Sequence, residues 1–271
     1  MTARLATTVL LVRGGPSGAS LTQGLEVFMV QRHRKSGFLP NAWVFPGGRV
    51  DDADHGLGPP TVQGGDALLQ QLGGGEAARA YAVAGVRETW EEVGIWLGRE
   101  GPSAEHRAPV ARGERPLADV LTDRARIELD RLHGWSWWVT PEAEPRRYDT
   151  RFLITDGSTA DGRHDDHETV DSRWVRPADA LASGMESFPL APPTWWTLME
   201  LARLGTAAAA LAQAPRRTLR PIQPIMRFSD DGIDLRLPGH PDHPEDAHEA
   251  LPHRISWEGG AWKGWRGGVA L

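Results

Sequence analysis

The chain has 271 residues, is 40% hydrophobic and 24% charged, carries a net charge of −6 and contains no cysteine. That is enough apolar material for one large domain, or one domain with an appendage. The composition excludes disulfides, thiol catalysis and thiolate metal sites and fits a cytoplasmic setting. The acidic balance excludes a broadly basic nucleic-acid-binding face, and no apolar run is long enough to span a membrane. In chain order, residues 7–13 and 25–32 are apolar or β-branched runs that read as paired strands. Residues 43–45 read as a short strand ending at Pro46. Residues 52–75 are Gly-rich and polar and read as a surface-loop insertion. A helix is expected over 76–96, a loop over 101–116, and a helix over 116–133 from the spacing of Leu117, Val120, Leu121 and Ile127. Strands follow at 136–140, 147–155 and 170–175, then helices at 177–182 and 193–214. After Pro215 the sequence becomes rich in Pro, His, Asp and Gly, with one apparent strand at 233–237. The expected organisation is a domain over 1–215 and a C-terminal extension over 216–271. Strands interleaved with helices that cover two faces imply a mixed α/β sandwich.

Residues 85–95, Gly-Val-Arg-Glu-Thr-Trp-Glu-Glu-Val-Gly-Ile, carry the strongest chemical signal. On an α-helix, Glu88, Glu91 and Glu92 fall within about 100° of arc. Ala82, Val83, Val86, Trp90, Val93 and Leu97 gather on the other side and form a stripe that can dock on a core. Three like charges so close together are costly unless a cation sits among them. Hard divalent cations prefer carboxylate oxygens and also bind substrate phosphates. Arg87 stands four residues before Glu91, where an ion pair can hold that carboxylate in place. A Glu-rich helix face is more often a solvated surface. Here the Gly94-Ile95 that follows, and the Phe45-Pro46-Gly47-Gly48 upstream, argue for a built site.

The pattern Arg-Glu-x-x-Glu-Glu-x-Gly-hydrophobic, preceded by Pro-Gly-Gly at a strand end, resembles the Nudix hydrolase box. Arg87, Glu88, Glu91, Glu92, Gly94 and Ile95 match it, and Gly48 matches its opening glycine. The box normally has a Glu six residues after that glycine; here the position is Asp54, and the 52–75 insertion separates it from Arg87. Thr89 stands where an aliphatic residue is usual. The segment from Phe38 to Asp54 is similar to the entry of the box in organellar coenzyme A diphosphatases, which also carry a long insertion. Trp138-Val139-Thr140-Pro141 and Pro145 to Phe152 are similar to their later strands, so the likeness spans roughly residues 5–200.

The resemblance implies a Nudix-type α/β/α sandwich and a metal-dependent hydrolase that cuts the diphosphate linkage of a small nucleoside diphosphate derivative, coenzyme A or acyl-coenzyme A being candidates. A dinucleotide or nucleotide-sugar diphosphatase is the alternative, and a non-catalytic ligand-binding module a further one. It also implies Mg²⁺ or Mn²⁺ held by Glu88, Glu91, Glu92 and the Gly48 carbonyl, Arg87 and the three glutamates being catalytic. Relatives often supply another carboxylate before a late strand; Glu168 is the candidate and Asp149 its rival. Relatives are often dimers, which makes a homodimer an expected assembly. From the residues, Arg32, Arg34, Arg146 and Arg147 are candidates to grip phosphate bidentately, and Phe45, Trp43 and Tyr148 to stack a base, although aromatic residues beside strands are more often core. His240, His243, His248 and His253 match no metal signature.

Overall fold

A computed structural model describes residues 2–15, 20–34, 39–159, 169–229, 232–248 and 251–271. Strand β1 (Arg4–Arg13) is an almost unbroken apolar run because both of its faces are covered. Val9 and Leu11 join Phe28, Val30 and Leu153 on one face, while Leu10 and Val12 join Val27, Met29, Phe152 and Ile154 on the other. One edge of β1 pairs in parallel with β8 (Tyr148–Asp156) along its length.

The other edge changes partner. Thr7 and Thr8 stand opposite Gly48 and Gly47 of β4 (Gly47–Arg49), and Val12 and Arg13 opposite Val27 and Glu26 of β2 (Glu26–Arg32). The expected β1–β2 pairing is therefore confined to one end. The two strands diverge, and β3 (Trp43–Val44) and β4 fill the wedge, β3 pairing with the far half of β2. Gly47–Arg49, which the sequence reading left outside any strand, is thus part of the sheet. Strand β9 (Thr169–Val175) covers the outer edge of β2. Strand β7 (His133–Val139) lies beside β8, and β10 (Pro221–Ile222) pairs with β7. Among the described residues these eight strands form one mixed sheet.

The insertion is not a bare loop. It holds α1 (Asp52–His55), β5 (Val62–Gln63) and α2 (Asp66–Gln71), and β5 pairs with β6 (Ile127–Glu128). Leu57, Val62, Leu68 and Leu72 are buried against α3 (Gly75–Val93), the acidic helix. Helix α3 ends at Gly94, whose φ of 73° is the left-handed conformation that glycine adopts without cost. Residues 101–116 include a short helix α4 (Arg107–Ala111). The helix expected over 116–133 is absent. Leu117, Val120, Leu121 and Ile127 are buried, but in a 3₁₀ turn (Leu117–Val120), its flank and β6.

On the opposite face of the sheet lie α5 (Pro177–Ala182), α6 (Gly184–Ser187), α7 (Pro192–Leu204) and α8 (Ala207–Gln213). The single helix expected over 193–214 is broken at Gly205, φ 71°. Among the described residues the C-terminal region holds, besides β10, five strands where one was expected: β11 (Ile225–Ser229), β12 (Gly232–Arg236), β13 (Arg254–Glu258), β14 (Ala261–Arg266) and β15 (Val269–Ala270). They form an antiparallel meander. Leu235, Leu237, Leu251 and Ile255 join Trp195 and Trp196 in one core, and Trp262 Nε1 donates to the Leu190 carbonyl at 2.9 Å. Among the described residues no helix is long and apolar enough to cross a membrane.

Candidate active site

The wedge between β1 and β2 brings backbone to the acidic face of α3. Gly47 has φ 151°, and a Cβ there would overlap the Thr7 carbonyl and Thr8 Cα, so only glycine lets β4 lie this close to β1. Thr8 Oγ1 donates to the carbonyls of Phe45 and Pro46 at 3.0 and 2.9 Å and pins the turn. Gly47 N donates to Glu92 Oε2 at 2.9 Å. A Cβ on Gly48 would overlap the Glu88 carboxylate. The two glycines therefore seat two of the three box glutamates against the backbone.

Arg87 is the hub of the remaining carboxylates. Its Nε and one terminal nitrogen donate to the two oxygens of Asp54, both at 2.9 Å, and that nitrogen also donates to the Arg49 carbonyl at 2.8 Å. The other terminal nitrogen donates to Glu88 at 2.9 Å and to Glu91 at 3.2 Å. Asp51 lies 3.6 Å away. Asp54 is 1% exposed and also accepts from its own helix start, Asp51 N, at 2.8 Å. Burial opposes the Arg87 charge, but Asp54, Glu88 and Glu91 outweigh it and raise the guanidinium pKa further. Burial pushes the Glu91 carboxyl up to about 7, against the pull of Arg87. Among the described contacts, Arg87 thus serves Asp54, Glu88 and Glu91 at once.

This donor set fits a divalent cation. The oxygens are hard and converge on one helix face, Glu91 is short of positive charge, and Gly48 leaves room where a Cβ would intrude. Among the described residues, however, no three acidic or imidazole groups already converge on one point, because Arg87 holds Glu88 and Glu91 while Glu92 turns to Gly47.

The other candidates are dispersed. The antiparallel course of β2 puts Arg32 at the same end of the sheet as Gly48, opposite Thr7, and Tyr148, opposite Arg4. Arg32 and Tyr148 are half-buried and Arg34 is exposed. Arg147 Nε donates to the Thr140 carbonyl at 3.1 Å. Glu168 lies outside the described residues. Phe45 corrects the sequence reading: it is 2% exposed and packs edge-on against Phe152, so its ring is core and cannot stack a ligand base. Trp43 is likewise buried, stacked on Phe188 at 4.6 Å. Asp149 is engaged by Arg151 and by Trp137 Nε1. Sequence reasoning treated Asp54 as a departure and missed that it clamps Arg87. The capping-box spacing from Asp51 to Asp54 was the available signal for a turn of helix there.

No family model matches the chain. It is 30% identical to a protein named acyl-coenzyme A diphosphatase NUDT19 of Gallus gallus, over 90% of this chain and 80% of that one. The Homo sapiens protein of the same name is 27% identical, over 86% and 76%. A solved NUDIX hydrolase from Alicyclobacillus acidocaldarius superposes with a TM-score of 0.62 at 27% identity, over 78% of this chain and 96% of that one. The chain belongs to the Nudix hydrolases. Nudix hydrolases use divalent metal ions and act on small nucleoside diphosphate derivatives, and this one is a diphosphate-cleaving hydrolase with the family's α/β fold. In this Nudix hydrolase the usual box glutamate is replaced by a shorter Asp54, which still reaches Arg87 through both oxygens. Thr89, the unusual residue inside the box, is fully buried and returns its hydroxyl to the Gly85 carbonyl at 2.7 Å. A polar residue is tolerated there because that bond satisfies it.

Proposed function

We propose that this Nudix hydrolase cleaves the diphosphate linkage of coenzyme A or an acyl-coenzyme A with Mg²⁺ or Mn²⁺, releasing 3′-phosphoadenosine phosphate and a phosphopantetheine product. The observation that carries this reading is the gathering of Glu88, Glu91 and Asp54 on Arg87, with Glu88 and Glu92 set against the Gly47–Gly48 backbone. The likeness to acyl-coenzyme A diphosphatases over most of the chain supports the substrate class. Glu88, Glu91 and Glu92 would hold the cation, with the Gly48 carbonyl and Glu168 as further ligands. A divalent cation, when bound, supplies Lewis acidity toward the diphosphate and toward water. Arg87 keeps one edge on Asp54 and uses the other to orient Glu88 and Glu91, so the carboxylates are held before substrate arrives. Arg32, Arg34, Arg147 and Tyr148 are the side chains proposed to meet phosphate and base. Residues 1–215 would form the catalytic domain, with 216–271 as an extension that closes the core on the far side of the sheet.

The test is hydrolysis of coenzyme A, an acyl-coenzyme A, a nucleotide sugar and a dinucleotide with either metal, beside a Glu91→Gln/Glu92→Gln variant. Turnover of the coenzyme A compounds alone, lost in the variant, is expected. Turnover of the other compounds instead would keep the chemistry and discard the substrate. Tight binding without turnover of any compound would contradict the assignment as an enzyme.

A further inference from the structure

Four strands of the sheet contribute one residue each to a single cross-strand row beneath α3. Gly48 of β4 stands opposite Thr7 of β1, Thr7 opposite Arg151 of β8, and Arg151 opposite Trp137 of β7. Helix α3 touches this row through one face, because positions 81, 85 and 88 recur at helical spacing. The Tyr81 ring lies 4.4 Å from the Arg151 guanidinium carbon. A Cβ on Gly85 would stand 3.0 Å from the Thr7 methyl, and one on Gly48 would overlap Glu88. Thr7 Oγ1 also donates to the Tyr81 carbonyl at 2.8 Å.

The contact at Arg151 is unlike the other two. Arg151 is 5% exposed, and its guanidinium carbon also lies 3.4 Å from the Trp137 ring centre. Asp149 neutralises it and also accepts from Trp137 Nε1 at 2.8 Å and from the Tyr81 hydroxyl. The arrangement is costly: Arg151 Nε is buried without a hydrogen-bond partner, and burial holds the guanidinium pKa below its usual value. Apolar side chains of similar volume would fill this space at lower cost. What they would not supply is direction. The methyl contacts around Gly85 allow a helix to slide, whereas a planar cation over two rings, tied to a carboxylate that also receives two ring donors, has one arrangement.

We propose that Tyr81, Trp137, Asp149 and Arg151 are positioning residues, which fix the pitch and height of α3 over the sheet and thereby seat Glu88 on Gly48. The inference rests on the reading of α3 as the carrier of the metal-binding carboxylates. None of the four meets substrate; they act through the helix, two turns away from Glu88. Small displacements at such a site are costly to catalysis.

The test uses the full chain with Y81F, which removes one hydroxyl, and R151K, which keeps the charge but loses the planar group. Thermal unfolding first identifies variants that remain folded. Mn²⁺ binding is then titrated by electron paramagnetic resonance without substrate, and kcat and KM are measured for coenzyme A. Residues that act on a site without touching its ligand shift it by about 2- to 30-fold, so a Mn²⁺ affinity weakened within that range and a matching fall in kcat are expected, with KM unchanged. Should R151K not fold, Y81F alone carries the comparison. Folded variants with wild-type Mn²⁺ affinity would overturn the proposal, whether or not their melting temperature falls. A wild type that binds Mn²⁺ but leaves coenzyme A intact would sink the substrate reading only, since the Mn²⁺ comparison between wild type and variant still decides this one.

Discussion

Two arginines, Arg217 and Arg87, face carboxylates in opposite ways. Arg217 meets Glu200 at 2.8 Å and gives a second bond, 2.9 Å, to the Trp135 carbonyl, with its guanidinium over the Trp135 ring at 3.6 Å. There, Glu200 faces Arg217 amid the apolar core, with Arg203 acting on it from farther off. Arg87 meets Asp54, Glu88 and Glu91, with Asp51 just beyond. Burial lifts the carboxyl pKa in both places, but for different ends. A balanced buried pair is a structural device that contributes little net stability and is costly to break. Several carboxylates sharing one guanidinium form a donor set of the kind that divalent cations take.

The comparison can be broken from either side. The largest effect is expected at the acidic cluster, where Glu91→Gln with Glu92→Gln lowers kcat by at least about a thousandfold, beyond the loss typical of outer-shell partners. Its melting temperature in metal-free buffer stays near that of the wild type or rises, because two buried like charges are gone. At the balanced pair the expectation is reversed. Arg217→Met leaves Glu200 buried and unpaired and costs about 3–5 kcal/mol of stability, measured by denaturant unfolding, while kcat of the folded fraction is unchanged. An intermediate effect comes from metal itself. Mg²⁺ or Mn²⁺ at a hundred times its dissociation constant should stabilise the wild type by about 2.7 kcal/mol and leave the double variant unmoved.

A last effect is on pH dependence. Glu91 carries a folded-state pKa raised to about 7 from an ordinary value near 4.5. In metal-free protein the folded state then holds this proton more tightly than the unfolded one. Its contribution is fully present below pH 4.5 and is lost as pH rises through 7. Metal binding needs the ionised carboxylate, so Mn²⁺ affinity should run the other way, weakening as pH falls through 7. Titrations of stability and of Mn²⁺ affinity across pH 5–8 should show these opposite slopes.

The acidic helix was legible because its information is local. The stripe of Val83, Val86, Trp90 and Val93, the three glutamates and the terminal Gly94 all lie within a few turns of one another. The role of Gly47 and Gly48 was legible for a similar reason, since glycine pairs at a strand end signal close backbone approach. What failed was non-local or masked by glycine. The insertion read as loop because Gly-Gly-Asp and Gly-Gly-Gly hide Leu57, Val62, Leu68 and Leu72, which are spaced for no single element yet all reach the core. Residues 116–133 carried helical spacing, and their apolar residues are buried, but tertiary packing drew them into a turn and a strand pair with the insertion. The C-terminal meander had a signal that was overlooked. Gly259-Gly260 and Gly267-Gly268 all have positive φ and join strands two residues apart, the hairpin turn that Gly-Gly favours. The Tyr81–Arg151 cluster joins residues seventy positions apart and had no signal in one sequence.

The most direct measurement is Mn²⁺ binding by electron paramagnetic resonance to the wild type and to Glu91→Gln/Glu92→Gln, both folded and without substrate. Saturable binding to the wild type, absent or at least about a hundredfold weaker in the variant, is the expected result. Equal binding by the two, or none by either, would contradict the assignment of the Arg87 carboxylate cluster as the cation site of this Nudix hydrolase.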